Sequence, residues 1–408
     1  PKAFGVVAAL MIALALVPGL PFVPFALFGG NCGWLAWSMT KKAEAAAAEE
    51  RLAQVVAQQQ SQQVEEPISH TLAIDALRIE LGYGLLPMIN DASAEPRLDD
   101  QVRALRRQMG IDFGFVLPSV RILDNMALQP SEYVVYVKET EIARGELRIG
   151  KLLVINASGE EPGIRGEPTK EPVFHLPALW IDRDMREEAG FRGLTVVDCG
   201  TVVTTHLTEI VKDNIADLLS YAETQKLLNE VHKDAEKLIA DLIPAKISIS
   251  GVQRVLQNLL AEGVSIRDVP TILEGVAEAT AMTGNLTQVT EHVRARLSRQ
   301  ISAQQTFDGT IPVVTLGGQW DEAFAESIVG QGEERHLAMA PSNLQAFIAA
   351  VREAYDRFAT QGEIPCLLTS PPLRPFVRSI IERVRPATVV LSQNEVHPRA
   401  RLRSLGMI

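Results

Sequence analysis

Apolar side chains run without a charge from Ala3 to Thr40, and beyond that point they come in short periodic groups. The first run is nearly twice the length of about 20 residues that one helical crossing of a bilayer needs. Pro18, Gly19 and Pro21 sit in its middle and break a helix. The pattern predicts two short crossings joined at that turn, a transmembrane hairpin over 1–42. A single kinked crossing is the competing reading. Lys2, Lys41 and Lys42 flank the run, and basic residues at both ends place both ends in the cytoplasm. Next, Ala43–Pro67 is rich in Ala, Gln and Glu with few large apolar residues. It reads as a linker over 43–68, partly helical and mostly exposed, with disorder as the alternative.

From Ile68 the periodicity turns mixed. "EYVVYVKET" and "KLLVINA" read as strands, and "GLTVVDCG" as a buried strand ending at Gly200. Between them "PGIRGEPTKEPVFHLPALWI" is broken by Pro and Gly and looks like a small excursion. Leu207, Ile210, Val211, Ile215, Leu218 and Leu219 then recur at helical steps. Residues 219–298 are helical in pattern almost throughout. Within them "VQRVLQNLLAEG" stops at Gly263, and Ser265 with Asp268 has capping-box spacing ahead of a fresh helix. A long helix over Ser342–Thr360 leads to strand "IPCLLTS", helix "PFVRSIIERV" and strand "ATVVLS", an α/β unit whose two strands should be parallel. The fold class is therefore multidomain α+β and α/β behind a membrane hairpin and a linker.

The chain has 408 residues, 47% of them hydrophobic, enough for several compact units. It opens on Pro1 rather than Met, which suggests a piece of a longer protein. Residues beyond 42 carry 36 basic and 50 acidic side chains. So acidic a body is a poor match for nucleic acid. The helix–turn–helix look of Val252–Ala281 does not change this, because its second helix carries Glu274 and Glu278 and no base. Cys32, Cys199 and Cys366 are far apart, which suits a reducing compartment and gives no zinc or disulfide framework.

One stretch resembles an active site. Asp198, Cys199, Thr204, Thr205, His206 and Glu209 fall within twelve residues. A nucleophile needs a base in reach and a metal needs three or four ligands. Cys199 and His206 lie about two helical turns apart, and no HxxxH or HExxH occurs. The plainer reading makes Gly200 a turn, the threonines caps, and Glu209 a neighbour of the positive helix end. "LGYGLLP" lacks the third glycine of a dinucleotide site, and no P-loop is present. No catalytic residue, metal or cofactor is expected. A membrane-tethered enzyme around Asp198–Glu209 stays as the alternative of another class.

Five strings in order, "LVPGLPFVPF", "GLLPMI", "DNMALQPSEY", "TVVTTHLTEI" and "VLQNLLAEGVSIRDVPTILE", resemble the large export-gate subunits of type III secretion systems. "TVVTTHL" and "VLQNLLAEGVSIRD" favour the flagellar branch over the injectisome branch. The resemblance implies a multi-pass protein of the bacterial inner membrane with a large cytoplasmic C-terminal region, assembled as a nine-subunit ring. It implies four cytoplasmic subdomains: a mixed first over 69–149 plus 199–218, a second inserted over 150–198, a helical third over 219–298 and an α/β fourth over 299–408. Implied partners are export chaperones with flagellar cargo, the other export-gate membrane subunits, and the export ATPase complex through the linker. The family's chaperone-docking motif falls here on Glu171, Phe174 and Thr205. The family commonly has Asp at the position of Glu171, so the reach of the acid differs, and "VVDCG" departs from the small residues usual before the Thr-Val-Val run. From the residues alone, Phe174 could equally be core.

Overall fold

The structure, a computed structural model, describes residues 74–90, 97–156, 163–231, 235–330 and 335–408, together with residues 34 and 41. The hairpin and linker expectations lie outside the described residues. Among the described residues no helix is long and apolar enough to cross a membrane. Asp75–Ile408 forms one compact unit and Pro1–Ile74 another. Every sheet among the described residues lies in Asp75–Ile408.

Strands β1 (Leu77–Leu81), β2 (Val120–Asp124), β3 (Glu132–Val137) and β4 (Thr140–Glu146) form a sheet in the order β2-β1-β3-β4. Helix α1 (Leu98–Phe113) makes the crossover that lets β1 and β2 run parallel. β3 pairs antiparallel with both its neighbours. The run "EYVVYVKET" is shorter as a strand than its alternation suggests. Lys138 and Glu139 take positive φ of 48° and 64°, the left-handed pair that a two-residue hairpin turn requires, so the chain reverses there into β4.

A second, antiparallel sheet comes from the Pro- and Gly-broken region. It contains β5 (Lys151–Ile155), β6 (Glu167–Lys170), β7 (Pro177–Asp182) and β8 (Thr195–Val197), in the order β6-β7-β5-β8. Its two faces follow strand alternation. Leu152 and Val154 pack with Ile181 and with Ala189 of helix α2 (Arg186–Phe191), whereas Leu153 and Trp180 join the main core. β8 ends at Val197, not at Gly200. Asp198 is the N-cap of helix α3 (Cys199–Asp213), accepting the Thr201 amide at 2.7 Å. Gly200 is therefore the helix's second residue, where a Cβ would sit 2.7 Å from the Gln101 side chain of α1. Gly200 thus lies inside the helix rather than in a turn, and its nearest neighbour is the end of the Gln101 side chain. The chain thus leaves the first sheet after β4, builds the second sheet, and returns in α3 to pack on α1.

Helices α4 (Tyr221–Glu230), α5 (Glu236–Leu242), α6 (Ile249–Ala261), α7 (Val269–Thr280), α8 (Leu286–Arg296) and α9 (Ser298–Gln304) follow. Gly263 at φ +70° stops the α6 segment. Asp268 caps α7 through the Thr271 amide, one turn later than the Ser265 cap expected. Strands β9 (Ile311–Thr315), β12 (Cys366–Thr369), β13 (Val390–Ser392) and β14 (Leu402–Met407) form an all-parallel sheet ordered β13-β12-β9-β14. β12 and β13 are parallel as expected; β9 and β14 have no counterpart among the strands expected from the sequence. Helices α10 (Gly318–Ser327), α11 (Pro341–Thr360) and α12 (Arg374–Val384) accompany this sheet, with a two-stranded ribbon of β10 (Ile328–Val329) and β11 (His336–Leu337).

A buried ion network ties the helical layer to this sheet. Arg374, fully buried at the start of α12, forks onto both oxygens of Glu262 at 2.7 and 2.8 Å and reaches Glu291 at 2.7 Å and Glu395 at 3.0 Å. Arg294 of α8 also binds Glu395. Burial works against the Arg374 charge, yet Glu262, Glu395 and Glu291 together raise its pKa. The bidentate fork is the strong form of such pairing.

Candidate docking site

The turn between β6 and β7 is built by one acid. Glu171 donates its amide to the Leu176 carbonyl at 2.9 Å, closing the loop "EPVFHL". Its carboxylate bends back, with one oxygen accepting the Val173 amide at 2.9 Å and the other the Phe174 amide at 2.7 Å. Pro172 supplies no competing donor. His175 takes φ +56°, a left-handed position that His tolerates better than most residues. The chain between Pro172 and Leu176 is thereby pinned, and Phe174 stands 68% exposed at its tip. Phe174 is not core. Glu171, expected at the edge of a binding cleft, is 6% exposed. Both its oxygens accept amides of the turn that carries Phe174.

Helix α3 supplies the other side. Its inward face is Val202, Val203, His206, Leu207, Ile210 and Val211, all buried, and Thr205 is exposed. His206 Nδ1 lies 2.8 Å from the Tyr133 hydroxyl of β3, ring edge to ring face. Gly145 on β4 makes room for that tyrosine, because a Cβ there would fall 2.5 Å from its ring. Burial lowers the His206 pKa, partly opposed by the Glu171 charge, and His175 lowers it further. Burial, then the Glu171 charge, raises that of Tyr133. The Glu171 carboxylate therefore acts electrostatically on the residue that follows Thr205 and on its hydroxyl partner. Glu171 and Phe174 share one turn; Thr205 relates to them through this buried Tyr133–His206 pair.

Apart from the exposed Thr205, the polar residues of the enzyme-like stretch have structural tasks. Asp198 caps α3. The Cys199 thiol donates to the Arg148 carbonyl at 3.2 Å, and burial with the nearby Asp198 pushes its pKa up to about 11, the reverse of an activated nucleophile. Thr204 and Thr208 donate to the Gly200 and Thr204 carbonyls one turn back. Glu209 lies in the later half of the helix and pairs with Lys212 at 2.7 Å, so it does not sit at the positive end. Among the described residues no group of three His, Cys, Asp or Glu could hold a metal. On α7, Glu274 pairs with Arg296 and Glu278 with His292.

Two sequence strings that seemed independent meet in space. Gly82 and Gly84 of "LGYGLLP" donate to the carbonyls of Glu132 at 2.8 Å and Pro130 at 2.9 Å, inside "DNMALQPSEY". A Cβ at Gly82 would lie 2.0 Å from the Gln129 carbonyl oxygen. The glycines serve backbone contact at the end of β1, the strand that pairs with Tyr133's own. Cavities of about 810 and 570 Å³ open elsewhere, beside Arg267 and beside Arg399, and neither includes Glu171, Phe174 or Thr205.

The comparisons with known proteins agree with this architecture. The flagellar biosynthesis protein FlhA of Caulobacter vibrioides is 52% identical over 409 residues, covering all of this chain and 58% of that protein. The chain thus spans less than two thirds of that relative's length. Among solved structures, the Chlamydia pneumoniae CdsV protein superposes with a TM-score of 0.71 at 23% identity, covering 82% of this chain and 97% of that one. The nonameric EPEC SctV-C does so with a TM-score of 0.65 at 20% identity, covering 82% and 99%. At those identities the likeness is one of fold. The family model described as the FHIPEP family matches residues 1–401, and the chain belongs to that family.

Proposed function

We propose that this chain is the C-terminal part of a flagellar type III export gate, and that its body docks export chaperones carrying flagellar cargo. The observation that carries the reading is Phe174: a large aromatic held out into solvent on a turn fixed by a buried carboxylate. An exposed, pre-positioned aromatic is the kind of group that anchors an interface. Ordering such a group in advance removes part of the entropy cost of binding. Thr205, exposed on α3, adds a polar edge.

The same reading places the protein in the bacterial inner membrane, with residues 1–42 as a hairpin and the body in the cytoplasm. It divides the body into the four subdomains 69–149 plus 199–218, 150–198, 219–298 and 299–408. The separate second sheet and its own small core support the inserted unit. A ring of nine copies is proposed from the nonameric SctV-C of like fold. Contacts with the other gate subunits, and with the export ATPase complex through 43–68, belong to the same proposal. The flagellar branch is favoured over the injectisome branch by the high identity to a flagellar relative across the whole chain. The body is proposed to bind rather than catalyse, because the thiol, imidazole and carboxylates of Asp198–Glu209 are engaged as caps and internal bonds.

A photo-crosslinking amino acid at position 174 tests the site in cells. It should capture a chaperone with its cargo. The same group at Phe191, which is 90% exposed on α2, should not. Equal capture at both positions, or none at 174, would overturn the assignment.

A further inference from the structure

A cavity of about 570 Å³ opens between α9 and the loop that leads into β14. Arg299, His397 and Arg399 line it, with Ala303, Pro398 and Ala400 as apolar walls. Among the described residues neither the Arg299 nor the Arg399 guanidinium has an ion-pair partner, in a chain whose net charge is −11. The remaining polar groups are already committed. Ser302 Oγ donates to the Glu395 carbonyl and accepts the His397 amide at 2.8 Å. Thr306 donates to the Ser302 carbonyl at 2.7 Å. His397 Nδ1 accepts the Arg399 amide at 3.2 Å, which leaves the ring proton on Nε2. The charged groups that line the cavity are therefore all cationic or neutral: two guanidinium groups and the His397 ring, with no carboxylate among them.

Its floor is fixed. Glu395, whose carbonyl accepts the Ser302 hydroxyl, is buried and ion-paired with Arg294 and Arg374 rather than facing the cavity lining. The backbone excludes a compact phosphate cradle, which needs converging amides. The His397 and Arg399 amides are already bonded, Pro398 has none, and the Ala400 amide donates to the His397 carbonyl at 2.8 Å. What remains is two guanidinium arms and one imidazole N–H above alanine and proline walls. That combination suits a carboxylate flanked by apolar groups.

We propose that this cavity is a binding site for an acidic segment of a partner polypeptide, an Asp or Glu side chain beside apolar residues, held by Arg299, Arg399 and His397. The site stands apart from the Phe174 turn and does not depend on the docking role given to it.

The test is fluorescence anisotropy with the purified chain in detergent and a short fluorescein-labelled peptide of leucine and glutamate. Its glutamine counterpart and inorganic phosphate are the comparisons. The glutamate peptide should bind. Arg299→Gln with Arg399→Gln should weaken it about tenfold or more, as for loss of charge-assisted bonds. Arg103→Gln with Arg107→Gln, which removes exposed charge on α1, should leave binding unchanged. Because both cavity arginines lack partners, the double variant should keep the parent melting temperature; Arg399→Gln alone gives the same reading should it not. Equal binding of the glutamine peptide, undiminished binding to the cavity variants, or an equal loss from the α1 variants would overturn the proposal. Displacement of the peptide by phosphate at matched charge would make this a small-oxyanion site and overturn it too.

Discussion

The Glu171 carboxylate accepts the amide of Phe174 at 2.7 Å, so the residue that holds the turn is three positions from the residue that the turn displays. A buried acid and an exposed aromatic thus form one device. Glu171→Ala removes the acceptor of two amides, Val173 and Phe174. It should cost about 2 kcal/mol of stability, the scale for leaving buried donors unmet, and should weaken chaperone docking although residue 171 is itself buried. Glu171→Gln, which keeps one carbonyl acceptor, should fall between. Denaturant melts beside a binding titration read both; full docking by Glu171→Ala would separate the turn from the site.

The Tyr133–His206 pair predicts a pH dependence. Burial holds the His206 pKa below its unfolded value of about 6.5. Above that value both states are neutral and the full stability is present. As pH falls below it the unfolded chain takes a proton that the folded chain refuses, so stability is lost down to the lower, folded pKa. The melting temperature of the parent should fall, as pH drops below about 6.5, more steeply than that of His206→Gln. Parallel curves would mean that His206 is not held neutral.

Arg374 and Glu262 are 112 residues apart in sequence and joined by two bonds. Arg374→Met leaves Glu262, Glu291 and Glu395 without their shared cation. It should destabilise by about 3–5 kcal/mol, as when one member of a buried ion network is removed. Arg374→Lys should recover little, since an ammonium cannot fork. A loss below about 1 kcal/mol, the range of exposed pairs, would show that solvent reaches the network.

Gly114 ends α1 at φ +90°, with its Cβ direction 2.3 Å from the Arg267 backbone nitrogen. Gly150 has φ +85° and nothing within 4 Å. Gly114→Ala should cost clearly more than Gly150→Ala, whose penalty is the left-handed strain alone, about 1–2 kcal/mol. Chemical denaturation of the two variants measures the gap, and equal losses would deny a tight contact between α1 and the loop before α7.

The helical region was legible because its signals are local: α6 and α7 show their apolar period, a glycine stop and a short polar cap within a few residues. The parallel pair β12 and β13 was legible for the same reason. β9 was hidden by its Pro312, and β14, an edge strand with most residues exposed, shows little apolar alternation. The hairpin at Lys138–Glu139 uses a dipeptide with no turn signature. At the candidate site, Phe174 and Thr205 came from the family motif, not from spacing. The part played by Glu171 was not readable, because a side chain folding back on its own turn leaves no periodic trace. The pairing of Arg374 with Glu262, and the cavity that brings Arg299 beside Arg399, depend on elements brought together across the fold.

Phe174→Ala tests docking most directly. The purified chain is titrated by calorimetry with an export chaperone loaded with flagellar cargo, beside a thermal melt. Because Phe174 is exposed, the melt should be unchanged. Loss of an aromatic anchor costs about 2 kcal/mol, so affinity should drop about thirtyfold. Binding at full strength by a folded Phe174→Ala would contradict the account.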